Sequence, residues 1–99
     1  MSNETFGDYI KKAREKMKLP LRKVAAQLDI DTSTLSKVER GDRPASPGYL
    51  KPLADILQLD LKEVQSKFIA DKINKDFGDM EHLTDGLKAA EQQIKKRKK

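Results

Sequence analysis

The stretch Leu21–Gly41, which reads LRKVAAQLDIDTSTLSKVERG, decides the fold of this chain. Its first part places Val24, Ala25 and Leu28 at helical spacing on one face. Ala25 is small, which allows a second helix to cross closely at this point. The stretch therefore begins with a short helix whose apolar face meets another helix.

A tight turn follows this first helix. The turn, Asp29-Ile30-Asp31, buries one apolar residue between two acids. Asp31 stands where an N-cap belongs, and we expect its carboxylate to accept a hydrogen bond from the backbone amide of Ser33 or Thr34. A second helix is therefore predicted to begin directly after Asp31.

The second helix has an apolar face and a polar face. Leu35 and Val38 lie three residues apart and point inward. The opposite face carries hydroxyls and a lysine, which are Thr32, Ser33, Ser36 and Lys37. Two short helices joined by a tight turn, with such a face directed outward, are typical of a device that enters a DNA groove.

The segment VAAQLDIDTSTLSKVERG, residues 24–41, resembles the helix-turn-helix of the phage-repressor-like, or XRE, family of DNA-binding proteins. The shared pattern is an apolar-Ala step, a turn with one buried aliphatic residue, a hydroxyl-rich recognition helix and a closing Glu-Arg-Gly. The resemblance continues through YLKPLADILQLDLKEV to Val64, and the chain is also similar to small controller proteins of restriction-modification systems. It implies an all-α fold with a compact five-helix domain.

Two positions depart from the family pattern. Leu21 stands where family members commonly carry a glutamine that contacts a DNA phosphate, so this contact is not carried over. Asp29 occupies a turn position that is often glycine, and aspartate tolerates a left-handed backbone less well than glycine does. We expect the fold to survive both changes.

The resemblance and the polar face together imply two sets of DNA contacts. The base-contacting set is Thr32, Ser33, Ser36 and Lys37, and the phosphate-contacting set is Lys23, Thr34, Arg40 and Arg43. A solvated helix surface would also explain the hydroxyls, although hydroxyl side chains are mediocre helix formers. The two arginines could equally be solvated loop charges.

Arg14 and Glu39 match family positions that often form an inward ion pair between the first and third helices. Arg14 shares a face with Ile10, Ala13 and Met17, which places it at the edge of the core. The resemblance therefore implies a structural ion pair, and the alternative is an unpaired surface arginine.

The other helices follow from periodicity. A first helix is predicted over Phe6 to Met17, and a fourth is expected to begin near Gly48 or Tyr49, which keeps Pro52 within its first turn. Asp60 is expected to cap a fifth helix that ends at Gly78. A final helix from about Thr84 places four apolar residues on one side, which are Leu83, Leu87, Ala90 and Ile94.

The fifth helix carries more apolar surface than a five-helix domain needs. Phe68, Ile69, Ile73 and Phe77 lie beyond the part expected to close the core, so this stripe needs a partner. A homodimer interface and an intramolecular wrap are both open, with the former favoured. We therefore divide the chain into a helix-turn-helix domain, residues 1–66, and a helical, basic C-terminal extension, residues 67–99, for dimerisation or partner docking.

The net charge of +5 is unevenly distributed. Residues 1–44 hold ten Lys/Arg against seven Asp/Glu, residues 45–82 hold five against seven, and residues 83–99 hold six against two. This predicts a phosphate-facing surface near the helix-turn-helix and a separate basic tail, Lys95–Lys99. Solubility alone would also explain the high content of charged residues.

The composition of the chain limits the classes of protein to which it can belong. The 99 residues lack cysteine, any signal-peptide pattern and any apolar stretch of membrane-spanning length, so a cytoplasmic protein without membrane contact is expected. His82 is the single histidine, so a metal site is improbable. No nucleophile-base pair or glycine-rich phosphate loop is present, which argues against an enzyme and against a cofactor.

These features predict a sequence-specific, double-stranded DNA-binding transcription regulator that acts as a homodimer on a two-fold operator. The alternative is an antitoxin of a toxin-antitoxin pair. Such a protein would bind its own operator through the helix-turn-helix and its toxin through the C-terminal extension.

Overall fold

A computed structural model describes residues 4–98, so the outermost residues of the two predicted regions, 1–3 and Lys99, lie outside the described residues. Within residues 4–98 the chain forms six α-helices, one 3-10 turn and no strand, which agrees with the all-α prediction. The elements are α1 (Phe6–Lys16), α2 (Leu21–Gln27), α3 (Thr32–Arg40), the 3-10 turn (Pro47–Tyr49), α4 (Leu50–Leu57), α5 (Leu61–Phe77) and α6 (Leu83–Arg97).

Helix α1 begins with a reciprocal cap. The Thr5 hydroxyl accepts a 3.0 Å hydrogen bond from the Asp8 backbone amide, and the Asp8 carboxylate accepts one of 3.2 Å from the Thr5 amide. The two bonds satisfy donors that have no partner within the helix. The helix ends at Lys16 with Met17 as its C-cap, close to the predicted limit.

Asp31 and Asp60 occupy the N-cap positions of α3 and α5 with extended backbone angles, as the sequence indicated. Neither side chain accepts a capping hydrogen bond, so the bond expected from the Ser33 or Thr34 amide to Asp31 is absent. Both aspartates are exposed. Water therefore competes for these carboxylates, and they contribute to the helix starts only through their charge.

The start of α4 is shaped by two prolines. Pro47 opens the 3-10 turn, where the Ser46 hydroxyl accepts a 3.3 Å hydrogen bond from the Gly48 amide. The regular helix begins at Leu50, so Pro52 lies in its first turn, where its missing N–H costs no helical hydrogen bond. The sequence predicted this arrangement to within one or two residues.

Five helices build one core. Its largest fully buried side chains come one from each of α1 to α5, and they are Ile10, Val24, Leu35, Leu53 and Val64. Each has no measurable exposure, with a relative accessibility of 0%. The core therefore holds the helix-turn-helix against α1, α4 and the first part of α5.

Phe68 packs against this core, which corrects the expectation that the domain does not need it. Its ring packs edge-on against Phe6, with centroids 5.5 Å apart and an interplanar angle of 80°. Because the start of α1 lies against α5, the core extends beyond Val64. The predicted division between residues 66 and 67 falls inside α5, which runs unbroken through it.

Helix α6 differs from the other five. None of its residues between Leu83 and Arg97 is buried, and Leu87 and Ile94 are exposed by 41% and 45%. No helix of the described chain has the length and apolar character needed to cross a membrane.

Candidate nucleic-acid interface

The turn between α2 and α3 is built from backbone hydrogen bonds. The Ile30 amide donates to the Ala25 carbonyl at 3.0 Å, and the Asp29 amide donates to the Ala26 carbonyl at 3.1 Å. Asp29 adopts φ of +58°, the left-handed conformation that glycine would take more easily. The turn fixes the angle between the two helices.

Gly7 positions the far end of α3, and the sequence analysis did not single it out. A Cβ atom at this residue would collide with the backbone carbonyl oxygens of Val38 and Glu39. Only glycine therefore lets α1 lie directly against the last turn of α3. A glycine in the first turn of a helix was the one available signal.

Arg14 and Glu39 lock the same two helices together through side chains. Arg14 donates two hydrogen bonds to the Glu39 carboxylate, from Nε at 2.7 Å and from Nη2 at 3.0 Å. Its Nη1 donates a third, of 2.8 Å, to the Leu19 carbonyl. The Glu39 hydrogen bond raises the pKa of Arg14, although partial burial opposes this. The side chains are only 12% and 5% exposed, so the pair fixes α3 from its inner side.

The outer face of α3 carries the predicted base-contacting residues. Thr32, Ser33 and Lys37 are exposed and Ser36 is half-buried. The inner face holds the buried Leu35 and Val38 instead. All four predicted side chains therefore lie on a helix whose inner side is held by the core and whose outer side meets solvent.

Two predicted phosphate contacts lie together beside the turn. Thr34 and Arg43 line one shallow surface hollow with Asp31 and Tyr49. Thr34 is half-buried there and Arg43 is exposed in the loop after α3. The structure thus brings a hydroxyl and a guanidinium, both suited to phosphate oxygens, to one edge of the recognition helix.

The other two predicted phosphate contacts stand apart. Lys23 is exposed on α2. Arg40 pairs with Asp42, with Nε and Oδ2 3.2 Å apart and side chains 60% and 63% exposed. A pair this exposed contributes little to stability, so a phosphate can replace the Asp42 carboxylate at small cost.

A further cation reaches the end of α3 from α5. The Nζ atom of Lys75 lies 3.8 Å from the point where a Cβ on Gly41 would stand. It also pairs with Asp71 at 3.2 Å. Sequence reasoning missed Lys75, because nothing in the local pattern of α5 indicates which loop its lysines face.

The predicted C-terminal interface residues separate into two environments. Phe68 packs on the core, whereas Ile69 and Phe77 are exposed by 54% and 46% and Ile73 is half-buried. Ile73 and Phe77 line an apolar groove with Leu83, Leu87 and Ala90 of α6.

Across residues 4–98, the structure contains no group of three or more acidic or histidine side chains placed to hold a metal ion.

The sequence of this chain matches the model of a known protein family. The helix-turn-helix family model matches residues 10–64, which span α1 to the start of α5 and contain every predicted DNA-contacting residue. Neither the curated proteins nor the solved structures compared with the chain gave a match. The family match covers more than half of the chain, and its pattern is that of the XRE type. The chain therefore belongs to the phage-repressor-like, XRE-type helix-turn-helix family of DNA-binding transcription regulators.

Proposed function

We propose that this protein binds specific sequences of double-stranded DNA as a homodimer on a two-fold operator and thereby regulates transcription. The observation that carries the proposal is the outer face of α3, where Thr32, Ser33 and Lys37 are exposed on a helix held rigidly from behind. A rigid recognition helix can enter the major groove without losing further conformational entropy.

Base recognition is assigned to four side chains of α3. The Lys37 ammonium is matched to the N7 and O6 acceptors of guanine, whereas hydroxyls contact several bases. Thr32, Ser33 and Ser36 would therefore add contacts of lower selectivity. Their place in the first half of the helix suits a recognition helix, whose early residues reach the base edges.

Contacts with the phosphate backbone on either side of the groove are assigned to four residues, which are Lys23, Thr34, Arg40 and Arg43. Such contacts set orientation and register, and they make affinity fall as salt rises. Thr34 and Arg43 border one hollow, which supports assigning both to the same stretch of the DNA backbone.

The homodimer is assigned to the C-terminal region, where Ile69 and Phe77 leave apolar surface exposed. A dimer presents two recognition helices to half-sites about one helical turn, roughly 34 Å, apart. A two-fold interface on α5 and α6 would relate the two copies in this way.

The apolar groove between α5 and α6 also favours a second candidate function. An antitoxin would use the surface around Phe77 and Leu87 to hold a toxin, while α3 binds the operator of the pair. Both functions share the DNA chemistry and differ in what covers the groove. The identity of the neighbouring gene separates them.

Selection of bound sites from random duplex DNA tests the proposed function. We expect the full chain to enrich two inverted half-sites about 10 base pairs apart, centre to centre. The Ser33→Ala, Lys37→Ala double variant should lose this enrichment, whereas Lys62→Ala, on an exposed lysine of α5, should keep it. Absence of any enriched sequence with the parent protein would refute sequence-specific binding, and a single unrepeated site would refute the two-fold operator.

A further inference from the structure

The apolar residues of α6 follow a seven-residue repeat. Leu83, Leu87, Ala90 and Ile94 are separated by four, three and four residues, so they form a narrow stripe along one side of the helix. This is the spacing by which two helices pack side chains into each other along a shared seam. A stripe of this kind needs a second helix of matching pattern.

The rest of the described chain covers this stripe only at its beginning, where Leu83 is half-buried. Leu87 and Ile94 are exposed by 41% and 45%, and Ala90 is exposed as well. Leu83 and Leu87 form one wall of the groove whose other wall is Ile73 and Phe77 of α5. The groove is therefore open along α6 and apolar on both sides.

Charges are segregated along the same helix. Its first turn and the segment just before it are acidic, with Asp85 on the helix and Asp79 and Glu81 preceding it, whereas its last turn and C-cap are basic, with Lys95, Lys96, Arg97 and Lys98. Lys88 and Glu91 lie between these groups and balance each other. Two such helices side by side attract in the antiparallel orientation and repel in the parallel one, because only the former sets acidic ends against basic ends.

We propose that α6 pairs with α6 of a second copy of this chain in an antiparallel seam, which is the interface of the homodimer. The inference rests on the proposed function for its biological setting, and it adds the helix, the orientation and the register of the interface. The partner is a second copy because the charge pattern and the stripe are both complementary to themselves.

The register follows from symmetry. A two-fold axis between residues 88 and 89 sets Leu83 against Ile94 of the second copy and Leu87 against its Ala90. Each of the four apolar residues then meets another apolar residue, and the small Ala90 makes room for Leu87. The same register sets the acidic start of one α6 beside the basic end of the other. One arrangement therefore satisfies both the packing and the charges.

Cross-linking tests the orientation directly, because the chain has no cysteine and single-cysteine variants are unambiguous. Leu83→Cys and Ile94→Cys are prepared separately as full chains, mixed under reducing conditions and then oxidised. In an antiparallel seam the new cysteines of two identical variants lie about 16 Å apart along the helix, beyond disulfide reach, whereas a mixed dimer brings them together. We expect covalent dimers in the mixture and almost none in either variant alone. A Lys51→Cys variant, on an exposed residue of α4, controls for random collision.

Two results would overturn the proposal. Covalent dimers of each variant alone would show a parallel seam, and no cross-linking above the Lys51→Cys control would show that α6 is not the interface.

A second measurement does not depend on disulfides. Leu87→Glu should raise the dimer dissociation constant in sedimentation equilibrium on the order of a hundredfold, because each dimer carries the change twice. The matched change Lys88→Glu lies outside the stripe and should alter it less than about threefold. The domain should stay folded, since α6 is not part of its core. An unchanged dimer for Leu87→Glu would refute the seam, as would a parent chain that stays monomeric. If the Leu87→Glu monomer still binds a single half-site duplex, the proposed DNA function stands whether or not the seam does.

Discussion

Arg14 and Glu39 hold α1 and α3 together by a two-pronged guanidinium-carboxylate contact, with hydrogen bonds of 2.7 and 3.0 Å. Both side chains lie almost entirely out of water. Removing one partner from such a pair leaves a buried charge without compensation, which costs far more than loss of a surface pair.

Glu39→Ala should therefore lower the free energy of unfolding by about 3 kcal/mol. Replacing both residues, as in Arg14→Met with Glu39→Leu, should recover much of this loss, because neither charge remains. Asp55→Ala breaks the exposed pair with Lys51 and should cost less than about 0.5 kcal/mol. Urea titrations followed by circular dichroism make the comparison. Equal effects of Glu39→Ala and Asp55→Ala would contradict the structural role given to the buried pair.

Lys37 and Arg43 are predicted to differ in the kind of DNA contact they make. Lys37→Ala should lose on the order of 1–3 kcal/mol for the selected site and bind unrelated duplexes almost as before. Arg43→Ala should weaken all duplexes alike and lower the slope of log affinity against log salt by about one. Fluorescence anisotropy over a range of salt concentrations measures both. A proportional loss for Lys37→Ala on all duplexes would make it a phosphate contact.

Asp29 carries the one non-glycine left-handed conformation within the helix-turn-helix turn, with φ of +58°. Asp29→Gly should stabilise the fold by roughly 0.5–1 kcal/mol, because glycine adopts this conformation without a steric cost. Asp55→Gly, inside α4, should destabilise it by about 0.3 kcal/mol, because glycine is a poorer helix former than aspartate. Thermal melts of the two variants should thus shift in opposite directions. A drop in melting temperature for Asp29→Gly would mean that the aspartate side chain contributes a contact outweighing the backbone strain.

Tyr9 links stability to alkaline pH. Its burial, together with a 2.6 Å hydrogen bond that its hydroxyl donates to Glu63, raises the pKa of the phenol far above the ordinary value of 10.0. In the unfolded chain the phenol ionises at its ordinary pKa, while in the folded chain it stays protonated. The neutral tyrosine thus contributes stability that is fully present below pH 10 and is lost as pH rises above it.

Comparison of the parent with Tyr9→Phe tests this linkage. Between pH 9 and pH 11 the parent should lose more unfolding free energy than Tyr9→Phe does, because the variant has no phenol at this position. Tyr49→Phe serves as the control and should follow the parent. Parallel pH profiles for the parent and Tyr9→Phe would show that Tyr9 titrates normally in the folded chain.

The sequence predicts most of what is local. Helical periodicity gives α1 to α5 within a residue or two, since each helix carries its own apolar face and stop signals. The partners of Arg14 and Phe68 depend instead on which helices cross. Family resemblance supplied the first partner, Glu39, and nothing in the chain supplied the second, Phe6. Periodicity identifies the face on which Phe68 lies but not what that face meets, so it could not connect Phe68 with Phe6 at the start of α1.

The same reasoning explains the two contributors to the α3 environment that were missed. Gly7 is required because carbonyl oxygens of α3 leave no room for a Cβ atom there. Lys75 lies close to Gly41, which is far from it in the sequence. Both depend on tertiary geometry, which no local pattern encodes. Asp31 stands at the predicted N-cap position of α3, but its side chain does not form the expected cap bond.

Helix α5 runs unbroken from the core residue Val64 to the exposed Phe77, and its 17 residues extend about 25 Å. The length and pitch of α5 therefore set the distance and the angle between the C-terminal surface and the DNA-binding helices. One residue inserted into its exposed half would rotate everything beyond by about 100° and advance it by roughly 1.5 Å. In the proposed dimer, the spacing of the two half-sites would therefore depend on the number of residues in α5.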